Sequence, residues 1–320
     1  MKRYDVYAIG NALVDFLTFV DDQFLIDKGI RKGLMTLVDQ PAEKILEGLD
    51  HREIVRCSGG SAANTIVGLA LLGGKGCFTG KVGDDDLGKF YGANLQASGV
   101  DLYVNPDSKP TGSCISLVSP DAERSMLTHL GASTQLSDLD IHHDALKESQ
   151  YLYVEGYLWD SPPARAAAIQ AMEWAKRNDV RIAFTFSDPW LVERFRDDFT
   201  RLLDTYIDVL FLNEREAGEI TGYEDPLMAS KQLAKKVKQL CLTRGEEGAI
   251  IANEGRLRST PRLAISKVVD TTGAGDLYAA GVLRGLSLGF DLSTSSMIGA
   301  RVAAAVVEKV GARLTPSDLH

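Results

Sequence analysis

The stretch VVDTTGAGDLYAAG, residues 268–281, sets two aspartates, Asp270 and Asp276, around Thr271, Thr272, Gly273, Ala274 and Gly275. The apolar ISKVV before it reads as a strand, and GDLYAAGVLRGLSLG reads as a helix. That order puts Gly273, Ala274 and Gly275 at a helix N-terminus. The first N–H groups there lack an internal partner, and the helix dipole adds partial positive charge. With so little side chain in the way, a phosphate can approach the backbone closely. Asp276, in the first turn, has two roles open to it. It caps the helix, or it takes a proton from a hydroxyl attacking phosphorus.

Four further stretches carry groups of this kind, each with a plainer alternative. In CSGGSAANTIVGLALLGG, Gly59 and Gly60 precede a small-residue helix bearing Asn64. The glycines let a ligand lie against the backbone, and Asn64 both donates and accepts, which suits a polyhydroxyl ligand. The same composition suits a helix packed closely on a sheet. In GNALVD, Asp15 follows a strand end, where open α/β sheets bind ligands and a carboxylate accepts from sugar hydroxyls. In FLNEREA, Asn213 and Glu216 open a helix. They orient magnesium-bound water, or they are an N-cap and a first-turn acid. In LTRGEEG, Thr243 and Gly245 offer a hydroxyl and bare backbone at a strand end, or simply a turn. No Walker A spacing occurs, and no GxGxxG follows the first strand, so a dinucleotide-binding dehydrogenase is disfavoured.

These groups need a frame to hold them. YDVYAIG, GCFTGKVG, YLYVEG, RIAFTF, DVLFLN, CLTR and GAIIAN read as strands. Helical patterns over 40–49, 61–74, 86–99, 164–177, 214–220 and 229–240 are interspersed, and two long helices follow near 275–288 and 294–309. This alternation predicts an α/β fold: one doubly wound, mostly parallel sheet in a single domain over 1–320. Two regions break the rhythm. Residues 15–21 and 33–39 look β-like with no clear helix between them, and 111–119 with 123–131 flank a Pro120–Asp121 turn. These pieces, at about 15–39 and 111–131, are expected to form a small discontinuous β-sheet, either a lid or edge strands of the main sheet. Phe16, Leu17 and Phe19 there are apolar and read as lid surface or lid core.

The chain has 320 residues and a net charge of −9, which argues against nucleic acid as the main partner. Cys57, Cys77, Cys114 and Cys241 lie far apart and read as free thiols. No signal peptide and no membrane-spanning run is seen, which points to a soluble cytoplasmic protein.

In order and spacing, GGSAANTIVGLALLGG…TGKVGDDDLG, NEREA, LTRGEEG and DTTGAGDLYAAG resemble the ribokinase-like (PfkB-type) carbohydrate and nucleoside kinase family along nearly the whole chain. The resemblance implies transfer of the γ-phosphoryl group of ATP, with Mg²⁺, to a primary hydroxyl of an adenosine-like nucleoside or a sugar. It implies Asp276 as base and Gly273, Ala274 and Gly275 as anion hole. Asp15, Gly59, Gly60 and Asn64 match the sugar side, Thr243, Gly245 and Asn213 the ATP side, and Glu216 a magnesium-water position. Asp270 matches a possible monovalent-cation site, with K⁺ its candidate ion. SMIGARVAAAVVEKVGA would line an adenine pocket, and lid strands of this family often build a homodimer surface. GNALVD and VEGYLWD look like the adenosine-kinase branch, whereas Thr272 stands where many adenosine kinases have Asn; a free-sugar kinase and a non-catalytic sensor of the same fold are the alternatives. Glu155 and Trp159 carry no assigned role, and His129 reads as a packed strand residue.

Overall fold

The computed structural model describes residues 2–40, 44, 47, 49, 52–121 and 123–319. The helix expected over 40–49 falls largely outside them. Fourteen strands are described: β1 (Tyr4–Ile9), β2 (Leu13–Phe19), β3 (Met35–Leu37), β4 (Val55–Gly59), β5 (Gly76–Gly83), β6 (Asp101–Asp107), β7 (Gly112–Val118), β8 (Arg124–His129), β9 (Ser149–Glu155), β10 (Arg181–Thr185), β11 (Val209–Asn213), β12 (Gln239–Thr243), β13 (Ala249–Asn253) and β14 (Arg256–Thr260). Nine form one sheet in the order β14-β13-β12-β11-β10-β9-β1-β5-β6. It is parallel from β6 to β12, and β13 and β14 close one edge antiparallel.

A parallel sheet with helices on both faces must be apolar on both. The chain meets this by strict alternation. Tyr7 and Ile9 of β1, Leu152 and Val154 of β9, and Ile182 and Phe184 of β10 enter one core; Val6, Ala8, Tyr151, Tyr153 and Ala183 enter the other. Trp159 lies in the first core, edge-on to Phe184 at 5.4 Å and Phe199 at 5.5 Å, so it is a packing residue.

The second sheet has the order β3-β8-β7-β2-β4. It is discontinuous in sequence, as expected, and gains a fifth strand, β4, beyond the segments foreseen. Asp21 caps a short helix, Asp22–Asp27, by accepting from the N–H of Phe24, where no helix was expected. Phe16 and Leu17 are buried and Phe19 is exposed, and none of the three lines a cavity.

Two other expectations are corrected. ISKVV is irregular, not a strand. It joins no strand ladder among the described residues, Val269 N donating instead to Val307 O at 2.7 Å, and the antiparallel edge is built by β14. The helix expected at 229–240 spans Pro226–Leu233. Asp225 caps it, and Gln239 and Leu240 belong to β12, because their partners in β11 outweigh local helix propensity. Among the described residues no helix is long and apolar enough to cross a membrane.

Candidate active site

The carboxyl ends of β9, β10, β11 and β12 deliver Glu155, Thr185, Asn213 and Thr243 to one cavity of about 380 Å³, and Asn11 reaches it just beyond β1. The small sheet forms its roof. A side chain alternates faces along a strand, so Leu13 and Asp15 of β2 and Arg124, Met126 and Thr128 of β8 point in while Val14 and Leu127 point away. Met35, Leu37 and Leu130 extend the apolar roof, and Tyr157 and Trp190 stand on the wall. A second cavity of about 340 Å³ is mostly apolar, lined among others by Ile265, Val268, Ala300, Ala303 and Val307. Thr243, Gly275 and Tyr278 border both cavities.

Between the two begins the helix Ala274–Ser287. Gly273 adopts a left-handed conformation, φ 75°, and a Cβ there would come within 2.6 Å of Ala312 Cβ, so only glycine fits. Gly275 faces open space. The N–H of Ala274 donates to Thr271 O at 3.2 Å; those of Gly275 and Asp276 take no backbone partner among the described residues. The N–H groups without a backbone partner among the described residues at this helix start are thus those of Gly273, Gly275 and Asp276, all bordering the first cavity, with Ala274 engaged in its own turn.

Asp276 does not cap its helix. Its Oδ1 accepts from Ser61 Oγ at 2.6 Å and its Oδ2 from Asn64 Nδ2 at 2.9 Å. Both donors stand on the helix Ser61–Leu71, so Asn64, expected to face a ligand, instead holds the acid. Burial raises the Asp276 pKa, and Ser61, Asn64 and Arg313 oppose that rise. Asp15 is pushed up to about 6 by burial, against the pull of Arg124 and Arg313.

The glycine pair before the helix serves this geometry. A Cβ on Gly59 would meet the Asp15 carboxylate at 2.2 Å, so Gly59 makes room for Asp15 without lining the cavity itself. Gly60, at φ 97°, lines the cavity, and a Cβ there would strike Asn11 O at 2.2 Å. Glu155 is fully buried and accepts from the N–H groups of Asn11 and Ala62, both at 2.7 Å. Burial raises it to about 7 despite those two donors. It ties the entry of the small sheet to the start of the Ser61 helix.

Asn213 and Glu216 form a reciprocal cap. Asn213 Oδ1 accepts from Glu216 N, and the Glu216 carboxylate accepts from Asn213 N and Nδ2, each at 2.9 Å. Glu216 still borders the cavity, raised to about 7 by burial. Thr243 Oγ1 donates to Leu212 O at 3.3 Å, and Gly245 borders the second cavity.

Asp270 lines neither cavity. Its Oδ1 accepts from Thr272 N at 3.0 Å and its Oδ2 from Gly311 N at 2.7 Å, with Arg124 Nε at 3.6 Å. A carboxylate so occupied, with a guanidinium beside it, does not fit a monovalent cation held by this side chain. His129 lies in β8, as a strand residue. The sequence reading did not single out Ser61, Arg124, Tyr157 or Trp190. Ser61 carries a recoverable signal, a hydroxyl one turn before Asn64 on the same helix.

A buried acid at a helix start with unspent N–H groups, between a polyol-sized cavity and an apolar one, defines a phosphotransferase with an alcohol acceptor. The chain belongs to the pfkB family of carbohydrate kinases, whose sequence pattern matches residues 39–318. It is 30% identical to the adenosine kinase of Saccharomyces cerevisiae over 95% of each chain. Two solved structures superpose on nearly its full length. One is a probable sugar kinase from Rhizobium etli CFN 42, with a TM-score of 0.92, 36% identity and coverage of 100% of this chain and 97% of that one. The other is an adenosine kinase from Sinorhizobium meliloti, with a TM-score of 0.91, 38% identity and coverage of 99% and 98%. The protein is a nucleoside or sugar kinase with ATP as co-substrate.

Proposed function

We propose that the acceptor is a purine nucleoside of the adenosine type, phosphorylated on a primary hydroxyl. The observation that carries this reading is the apolar roof of Leu13, Met35, Leu37, Met126 and Leu130 facing Tyr157 and Trp190. A flat aromatic base fills such a slot, whereas a free sugar would leave its hydroxyls unpaired against it. The polar end, with Asp15, Asn11 and Asp276, receives the ribose. The second cavity takes the adenine of ATP, its phosphates crossing to the first past Gly275 and Thr243.

In this scheme Asp276, oriented by Ser61 and Asn64, accepts the proton of the attacking hydroxyl. The N–H groups at Gly275 and Asp276 and the Arg124 guanidinium face the charge that builds on the transferred phosphoryl group. Among the described residues no cluster of three ligating side chains forms. Mg²⁺ would thus be held mainly by the triphosphate and water, with Glu216 as the nearby acid, and would neutralise phosphate charge. Glu216 suits that task because it borders the cavity while Asn213 fixes its direction.

ADP release measured over a panel of nucleosides and free sugars tests the reading. Adenosine is expected to lead ribose and fructose in kcat/KM by at least about 100-fold. A free hexose as the best acceptor would reassign the cavity. Asp276→Asn is expected to lower kcat by about 10³-fold or more with ATP binding retained; near-normal turnover in this variant rules out the base role.

A further inference from the structure

Arg313 lies in the C-terminal segment after the last long helix, Leu292–Val307, directly behind Ala312. Its Nη2 donates to Ser58 O at 2.6 Å and Ser58 Oγ at 3.2 Å, and its Nη1 to Ala63 O at 3.4 Å. Ser58 belongs to β4 of the roof sheet, and Ala63 to the first turn of the Ser61 helix. One guanidinium thus spans Gly59 and Gly60, the link between roof and main domain. Its Nε is closed to solvent and without a partner among the described residues, and no ion pair there reaches the side chain.

An enclosed cation with only carbonyl and hydroxyl acceptors is costly, because no carboxylate offsets its lost hydration at close range. The negative charges that offset it stand further off, across the glycine link, and they are Asp15 and Asp276. Cys57 and Tyr91 face it as well, both neutral near pH 7.

We propose that Arg313 is a positioning residue for phosphoryl transfer: it clasps the Gly59–Gly60 link and places a fixed positive charge behind Asp15 and Asp276. The inference rests on the reading of Asp276 as the base. Every charged or titratable group facing that base has a part in the balance. Ser61 and Asn64 donate to it from one helix. Tyr153 and Glu155 face it from β9, Tyr157 from the turn beyond, and Asp15 from β2. Arg124 acts on Asp15 from β8. Among these groups Arg313 draws both Asp15 and Asp276 back toward ionisation. Losing its charge therefore makes the base harder to ionise.

The test measures kcat/KM against pH for the wild type, Arg313→Gln and Arg313→Lys, and melting temperatures of the ligand-free proteins at about pH 5.5 and 8. In Arg313→Gln, which keeps donors without charge, the acid limb of the profile moves up by about one pH unit. Its melting deficit against the wild type is larger at pH 8, where the uncompensated carboxylates ionise. A purely structural contact gives the same deficit at both pH values and an unmoved limb, and that result overturns the proposal. Arg313→Lys, the milder change, keeps the charge and loses the fork. Its acid limb stays in place while the acceptor KM rises about 3- to 10-fold; an unchanged KM removes the clasp, and a limb that moves as in Arg313→Gln removes the charge role. Should a free sugar prove the better acceptor, the nucleoside reading fails and the same comparison is run on that sugar.

Discussion

Asp276 keeps its place through two side chains more than two hundred residues away in sequence, Ser61 and Asn64. A hydrogen bond to the ionised form of an acid lowers its pKa, so removing one raises it. Asn64→Ala is accordingly expected to lower kcat about 10- to 100-fold, the value of one bond to a charged group. Its acid limb should shift upward while the KM for ATP stays put. A profile of unchanged shape would mean that Asn64 acts on the substrate rather than on the base. The glycine loop and Asp276 were legible in the sequence because bare backbone at the start of a helix is a local pattern. The partners of Asp276 were not, since nothing local links residue 61 or 64 to residue 276. Glu155 had a signal that went unused, an acid at the end of an otherwise apolar strand. Asn213 and Glu216 show the reverse case: their local capping role is real, and it is also what aims the Glu216 carboxylate at the cavity edge.

At the scale of elements, the roof sheet and the Ser61 helix meet at Gly59 and Gly60. Gly59→Ala puts a Cβ into the space of the Asp15 carboxylate, at 2.2 Å, and the acid must turn away. The acceptor KM should rise at least about 10-fold with the KM for ATP little changed, since the second cavity is untouched. Equal effects on both KM values would show that the whole helix had shifted. Trp159 provides the contrast. Truncating a buried tryptophan costs roughly 3–5 kcal/mol, so Trp159→Ala should lower thermal stability sharply and leave both KM values of the surviving fold in place. Alternation of strand-like and helix-like stretches revealed the main sheet, and the Pro120–Asp121 turn revealed the β7–β8 hairpin. The strand β4 and the irregular course of ISKVV escaped because pairing decides them. β4 is held by Asp15↔Cys57 and its neighbours across β2, while ISKVV has apolar residues but no strand beside it.

Across the whole molecule the buried acids set the pH dependence of stability. Burial raises Asp15 to about 6 and Glu155 and Glu216 to about 7. Each binds a proton more tightly folded than unfolded, where carboxyls titrate near about 4. Their contribution is therefore whole below the unfolded pKa and is lost as pH rises through about 6 to 7. Other carboxylates pull the opposite way. Lys32 holds Asp121 down at about 2, and Lys309 does the same for Asp318. Hydrogen bonds from Thr111 lower Asp85. These acids stabilise the fold above their unfolded pKa and lose that effect as pH falls toward about 2. The two sets balance near about pH 4, the unfolded pKa they share: below it the second set is being lost, and above it the first begins to fade. The ligand-free protein should thus melt highest at about pH 4 and lower by several degrees at about pH 8. The double variant Asp15→Asn with Glu216→Gln, neutral at every pH, should flatten the decline between them. A melting temperature that climbs steadily from about pH 5 to 8 would show that these acids ionise in the folded cavity without cost. The pocket would then be wetter and more open than its roof of Leu13, Met35, Leu37, Met126 and Leu130 implies.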